Sequence, residues 1–101
     1  MTAILTLVYP KGTKEFDMNY YLTSHMPMVQ ATWAGCGLQK WEVVQLDPAS
    51  GNVTKCILYF ESAAKMQAAF GGPDAAKVLG DIPNYCDVQP LQYAGEIVGG
   101  S

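Results

Sequence analysis

The sequence predicts an α+β domain of the ferredoxin-like kind, βαββαβ: a four-stranded antiparallel sheet with helices on one face. Three observations carry that expectation. Stretches of strand and helix character follow one another in that order. Pro90, a proline within an extended stretch, falls on the last strand, which this topology puts at an edge where its missing N–H costs nothing. The strands that the topology puts at the centre are apolar on both faces. The 101 residues suffice for one such domain, 1–101, with Gly99-Gly100-Ser101 expected as a flexible tail.

Thr2–Tyr9 is rich in Ile, Leu, Val and Thr, residues that suit a pleated surface, and reads as the first strand. Pro10-Lys11-Gly12 closes it, and a helix is expected from about Lys14 into the low thirties. Pro27 lies within that helix. It has no N–H to give and crowds the turn before it, so it should kink the helix or begin a second one. Leu38–Leu46 is the second strand and Val53–Phe60 the third. The turn cluster Asp47-Pro48-Ala49-Ser50-Gly51-Asn52 between them makes a hairpin with a longer loop. Ser62 is placed to cap a helix over Ala63–Phe70, which Gly71 stops. Pro73 can start a further helical turn ending near Gly80, and the chain finishes extended from about Tyr85 to Val98.

In the third strand Val53, Ile57 and Tyr59 share one face, and Cys56, Leu58 and Phe60 the other. A sheet with helices on one side only should have a polar second face. The expected explanation is a homodimer in which two sheets pack together. A small domain has a thin core and gains from such a partner.

Charge and composition exclude several classes. The formal net charge is −3, and no run of Lys or Arg gives the electrostatic footprint of a nucleic-acid binder. Cys36, Cys56 and Cys86 are an odd set with no C-x-x-C spacing and no nearby pair of histidines, so neither a disulfide framework nor a metal site is expected. Cys56, inside an apolar strand, reads as a buried inert thiol. Ala3–Tyr9 is apolar but short and lacks a basic leader, and no segment is long enough to span a bilayer. No membrane association and a cytoplasmic location are expected.

The one histidine, His25, lies in Phe16-Asp17-Met18-Asn19-Tyr20-Tyr21-Leu22-Thr23-Ser24-His25-Met26-Pro27-Met28-Val29. At regular helical spacing Met18, Tyr21, His25, Met28 and Val29 share a face, with Phe16, Tyr20 and Pro27 on the neighbouring stripe. An imidazole among sulfur and aromatic groups can be shifted across neutral pH, as proton transfer requires. The commoner role of a lone histidine on such a face is a hydrogen-bonded structural residue, and Met18, Met26, Met28 and Met66 are more often core fillers than ligand contacts. A second polar segment, Gly80-Asp81-Ile82-Pro83-Asn84-Tyr85-Cys86-Asp87, precedes the last strand. Its Asp and Asn side chains can make turns through their own backbone. Asp81 or Asn84 can instead reach the histidine and fix its tautomer. No nucleophile elbow and no phosphate-cradling glycine loop accompany these segments.

At these two stretches the sequence resembles the EthD family, named for a component of an ethyl tert-butyl ether degradation system. The matching signature is Phe16-Asp17-Met18-x-Tyr20-Tyr21-x-x-x-His25-x-Pro27, after Val8-Tyr9-Pro10. A second match is Asp81-Ile82-Pro83-Asn84-Tyr85 followed by Pro90, and Phe60-Glu61-Ser62 with Met66-Gln67-Ala68-Ala69-Phe70-Gly71 lies between. The resemblance implies a homodimer whose two sheets form a dimeric α/β barrel, a ligand cavity between sheet and helices, and a functional histidine at position 25.

The function expected is binding of a small apolar or aromatic intermediate of catabolic or secondary metabolism. With it goes a cofactor-independent isomerisation, cyclisation or dehydration in which His25 moves the proton. Tyr20 and Tyr21 would orient the ligand, Asp81 or Asn84 would add a polar contact, and Trp41 and Tyr59 would be wall residues. Two alternatives stand beside it. One is a non-catalytic accessory or carrier for an oxygenase system. The other is a haem-degrading or quinol-type monooxygenase, which a lone helix histidine favours and the lack of a basic patch disfavours. No cofactor and no metal are expected in the leading case.

Overall fold

The computed structural model describes all residues 1–101 and places twelve short elements in the predicted order. Strand β1 (Ala3–Pro10) leads into helical segments α1 (Met18–Tyr20) and α2 (Met26–Trp33), joined by a π-helical turn over Tyr21–His25. Strand β2 (Leu38–Gln45) and strand β3 (Asn52–Phe60) form the hairpin, α3 (Ala63–Gly71) and α4 (Ala75–Gly80) follow, and β4 (Leu91–Glu96) ends the sheet. The sheet order is β2-β3-β1-β4, antiparallel throughout. This is the ferredoxin-like α+β arrangement, with β1 and β3 central and β2 and β4 at the edges.

Local chemistry accounts for the element ends. The Asp17 carboxylate accepts from the Tyr20 N–H at 3.0 Å and starts α1, so Lys14–Phe16 stays outside the helix predicted to include it. The Ser62 hydroxyl accepts from the Lys65 N–H at 3.2 Å and starts α3. In the hairpin loop Asp47 accepts from Ala49 N, and Gly51 takes a φ of 84°, a left-handed conformation that a residue without Cβ adopts freely. The last strand is shorter than the expected Tyr85–Val98. Pro90 immediately precedes it rather than lying within it, and β4 occupies the edge all the same.

The predicted face of the first helix is altered by the π-helical turn. The Met26 N–H reaches back five residues to the Tyr21 carbonyl, directly before Pro27, which can make no such bond. The wider turn advances the inward stripe by one residue. Tyr21, His25, Met26, Val29 and Trp33 are therefore the buried set, while Met18 and Met28 stay half-exposed.

The strands pair so that Leu7 faces Cys56 and Tyr9 faces Thr54 across the central ladder. With Ala3, Leu5, Leu58 and Phe60 these residues lie on the helix-covered side, and the core forms between them and the helices. On the other side Ile4, Val8, Val53, Ile57 and Tyr59 are half-exposed, while Val44, Leu91 and Tyr93 are exposed.

Candidate functional site

His25 ends the π-helical turn and is 3% exposed. Its Nδ1 lies 2.9 Å from Asp81 Oδ2, across fifty-six positions of sequence. The second carboxylate oxygen, Oδ1, accepts from the Tyr20 hydroxyl at 2.7 Å and from Asn84 Nδ2 at 2.8 Å. Two chain features deliver Asp81 to this place. It closes α4, and the 3-10 turn Ile82–Asn84 that follows folds back so that the Tyr85 carbonyl accepts from Asp17 N at 2.9 Å. That bond ties the start of the first helix to the segment carrying Asp81.

The electrostatics fix the protonation pattern. Burial pushes the His25 imidazole below its ordinary value of 6.5, and the Asp81 hydrogen bond and charge pull the other way without overcoming it. Burial raises the Asp81 carboxyl, but hydrogen bonds from Asn84, Tyr20 and His25 outweigh it and hold the acid below its ordinary value. At neutral pH the pair is therefore a neutral imidazole donating Nδ1–H to a carboxylate. That bond sets the tautomer and leaves the Nε2 lone pair free, the form a general base needs.

The imidazole sits in a cage of phenols. Tyr21 stacks on it at 5.1 Å with the rings 13° from parallel, and the Tyr85 ring lies 4.7 Å away. Tyr9 contacts both phenols edge-on at 5.8 Å, and its hydroxyl shares a 2.8 Å hydrogen bond with the Tyr85 hydroxyl. Burial pushes Tyr9 up to about 12 and raises Tyr21 and Tyr85 as well, so all three remain protonated donors. The Tyr21 hydroxyl lies near the Cys56 thiol and the Tyr9 hydroxyl, yet makes a well-formed hydrogen bond with neither. Burial likewise pushes the Cys56 thiol up to about 11, so it is uncharged.

These groups border a cavity between the sheet and α2, α3 and α4. Its walls are mainly apolar, with Leu7, Met26, Val29, Leu58, Phe70 and Ile82 among them, and Tyr21, His25, Trp33 and Tyr85 also line it. The room inside is about 20 Å³, enough for one water. Trp33 Nε1 is a second buried donor without a partner.

The predicted site residues thus divide. His25, Asp81, Tyr20 and Asn84 form one hydrogen-bonded group, and Tyr21 stacks on its histidine. Tyr20 and Asn84 hold Asp81 and do not line the cavity. Trp41 lies on the edge strand β2, donating to Gln30 Oε1 at 2.9 Å. Tyr59 is on the far face of the sheet, its hydroxyl 2.5 Å from Glu42 and its ring 4.5 Å from Lys40 Nζ. Neither borders this cavity. Tyr9, Tyr85 and Trp33 were not among the predicted residues. Strand alternation places Tyr9 with Leu5 and Leu7 on the inner face, the Asp81–Tyr85 motif contains Tyr85, and Trp33 lies one helical turn after the inward Val29.

No family model matches the chain, and no curated protein is significantly similar to it. Solved structures are similar. An EthD-like protein from Ralstonia eutropha superposes with a TM-score of 0.82 at 29% identity, over 99% of this chain and 95% of that one. An ethyl tert-butyl ether degradation (EthD) family protein from Bacillus halodurans superposes with a TM-score of 0.75 at 18% identity, over 97% of this chain and all of that one. A dimeric ferredoxin-like protein of unknown function from Jannaschia has a TM-score of 0.67 at 15% identity, over 95% and 98% of the two chains. No helix of the chain is long and apolar enough to cross a membrane. From signature to superposition, the chain is EthD-like along its whole length and has the fold of the dimeric α/β-barrel proteins.

Proposed function

We propose that this protein binds a small apolar or aromatic intermediate of catabolic or secondary metabolism and moves a proton on it without a cofactor. His25 is the base. The observation that carries this is His25 on the wall of an apolar cavity, its imidazole neutral and its Nδ1 occupied by Asp81 behind it. A buried, oriented imidazole beside a carboxylate is a working arrangement for proton abstraction and return. Tyr20 and Asn84 serve by holding Asp81, while Tyr21 and Tyr85 pack against the imidazole and fix its plane. Isomerisation, cyclisation and dehydration all fit this machinery.

The protein also works as a homodimer in this reading, paired through the outer sheet face. Half-exposed Ile4, Val8, Val53 and Ile57 there, with exposed Leu91 and Tyr93 beside them, form an apolar surface that a second sheet would cover. Tyr59 and its Glu42 partner would then lie in the interface.

The test is turnover of lactone and phenolic intermediates by the wild-type protein and by His25→Ala, with circular dichroism as the folding control. Activity lost in a folded His25→Ala protein supports the proposal, and equal activity in both removes it. Saturable binding with no turnover would make the protein a carrier for another enzyme. A monomer at micromolar concentration by sedimentation would remove the dimer.

A further inference from the structure

The cavity's room of about 20 Å³ suits one water, so a wall must move before anything larger enters. The walls are not equally fixed. Leu7, Cys56 and Leu58 stand on β1 and β3, each hydrogen-bonded to a strand on either side. Helix α2 adds Met26, Val29 and Trp33, all fully buried. Helix α4 adds Val78 and Leu79, and it is held far less. Of its six residues only Ala75 and Val78 are buried, and Leu79 is exposed. Asp74 makes no side-chain cap at its start. Its Ala75–Gly72 and Val78–Asp74 backbone bonds are long at 3.4 Å, as is the Asp81–Val78 bond at 3.3 Å that closes it.

Glycines bracket this helix. Gly71 ends α3, Gly72 follows it, and Gly80 ends α4. A Cβ at Gly71 or Gly80 would meet nothing within 4 Å, and neither residue takes a left-handed φ. Neither space nor turn geometry demands glycine at those two places, and what it supplies there is backbone freedom. Directly after Gly80, Asp81 is tied to His25, Tyr20 and Asn84. A free residue thus stands between a weakly held helix and a firmly held carboxylate. Resting on the binding function proposed above, we infer that α4 is a lid, which swings about Gly71-Gly72 and Gly80 to admit the ligand while Asp81 stays fixed on His25. Opening parts Val78 and Leu79 from the other walls. The Nδ1 bond to Asp81 persists, so the imidazole keeps its tautomer as the ligand enters. Closure then shuts water out of the proton transfer, a common service of lids that hinge at a few residues.

The test reads Trp33, whose side chain lines the cavity and whose indole N–H is buried with no hydrogen-bond partner. Burial alone protects that N–H, so its deuterium exchange in D2O, followed by NMR, reports solvent entry. Amides of β1 and β3 serve as the reference for global unfolding. In the wild-type protein the Trp33 N–H should exchange faster than the reference amides. The double variant Gly71→Ala/Gly80→Ala should slow it on the order of tenfold beyond any change in the reference, because leaving the helical backbone becomes harder at both hinges. Association of benzene, the probe of the cavity, should slow by the same factor, while the thermal midpoint holds or rises. Trp33 exchange that follows the reference amides, or that the double variant leaves unchanged, overturns the lid. Benzene association at the wild-type rate in the double variant overturns it too, because another wall then gives way. If benzene does not bind while Trp33 exchange responds as expected, the binding function falls and the moving helix stands.

Discussion

The core of this domain has two aromatic ends that pack alike and differ in chemistry. At one, Trp33, Phe60 and Phe70 meet with ring centroids 4.6–6.3 Å apart. At the other, Tyr9, Phe16, Tyr21, Tyr85 and His25 meet at 4.7–5.8 Å, here mostly edge to face. The first end buries hydrocarbon and a single N–H. The second buries three hydroxyls and an imidazole, of which only the Tyr9–Tyr85 and His25–Asp81 contacts are satisfied within the chain. Burying a hydroxyl without a partner costs about 1–3 kcal/mol by the measure of protein substitutions. Each end carries one buried donor without a partner, the Trp33 indole N–H and the Tyr21 hydroxyl, so what sets the second end apart is the titratable His25–Asp81 pair that it alone holds.

Breaking the hydrocarbon end should produce the largest effect. Phe60 is fully buried on the central strand β3, in contact with Trp33 and Phe70. Phe60→Ala should cost about 3–5 kcal/mol, the lost transfer energy plus the cavity left behind. A lowered urea midpoint checks this, and the fraction that remains folded should keep the wild-type titration of His25. A loss below about 1 kcal/mol would show that the helices close over the gap, and that this end is not the rigid half of the core.

At the polar end, Asp81→Asn should leave the fold in place and disable the base. The hydrogen bond and charge of Asp81 both hold the imidazole up against burial. Removing the charge should therefore move the His25 titration further down, as followed by the imidazole C–H signals in NMR. An amide can also offer its NH2 to Nδ1, which turns the ring proton onto Nε2 and removes the lone pair from the cavity. Any proton-transfer rate should drop on the order of 10²-fold or more, as when a triad carboxylate is replaced by its amide. Acid stability follows from the same pair. His25 is held below 6.5, so the unfolded chain takes up a proton that the folded one refuses, and stability declines as pH falls below about 6.5. Asp81 is also held below its ordinary value of 3.8. Its contribution is present above that value and is lost as pH falls through the range beneath it. Thermal melts between pH 7 and pH 5 should show the first decline in the wild type and not in His25→Gln.

How far the two ends could be read from sequence also differs. The sheet order, the hairpin and the Ser62 cap follow from alternation, turn chemistry and capping, which are local signals. The Asp81–His25 contact was one of two open options, because no spacing argument joins segments fifty-six residues apart. The EthD-like motifs at both segments brought them into one frame, and the 3-10 turn after Asp81 supplied the geometry. The inward face of the first helix was misread for a physical reason. Regular helical spacing assumes 3.6 residues per turn, and the π-helical turn before Pro27 inserts one more. Met26 therefore entered the core, while Met18 and Met28 did not. Tyr59 shows a different limit. Its strand was placed correctly, but alternation gives only which residues share a face, and Tyr59 lies on the face away from the cavity.

The smallest effect separates the phenols from one another. Tyr9→Phe strands the Tyr85 hydroxyl, which is buried and has Tyr9 as its hydrogen-bond partner at 2.8 Å. That substitution should cost about 1–3 kcal/mol. Tyr21→Phe removes a hydroxyl that has no partner to strand, so its effect should be nil or stabilising by up to about 1 kcal/mol. Urea unfolding of the two single variants and the double variant checks the contrast, and because the two rings are in contact at 5.8 Å the double variant measures their coupling. If Tyr21→Phe were as costly as Tyr9→Phe, the hydroxyl would be part of the fold's own network, shared with the Cys56 thiol and the Tyr9 hydroxyl beside it. Opposite signs at two tyrosines packed edge to face would separate a phenol held in the protein's own hydrogen-bond network from one that is not.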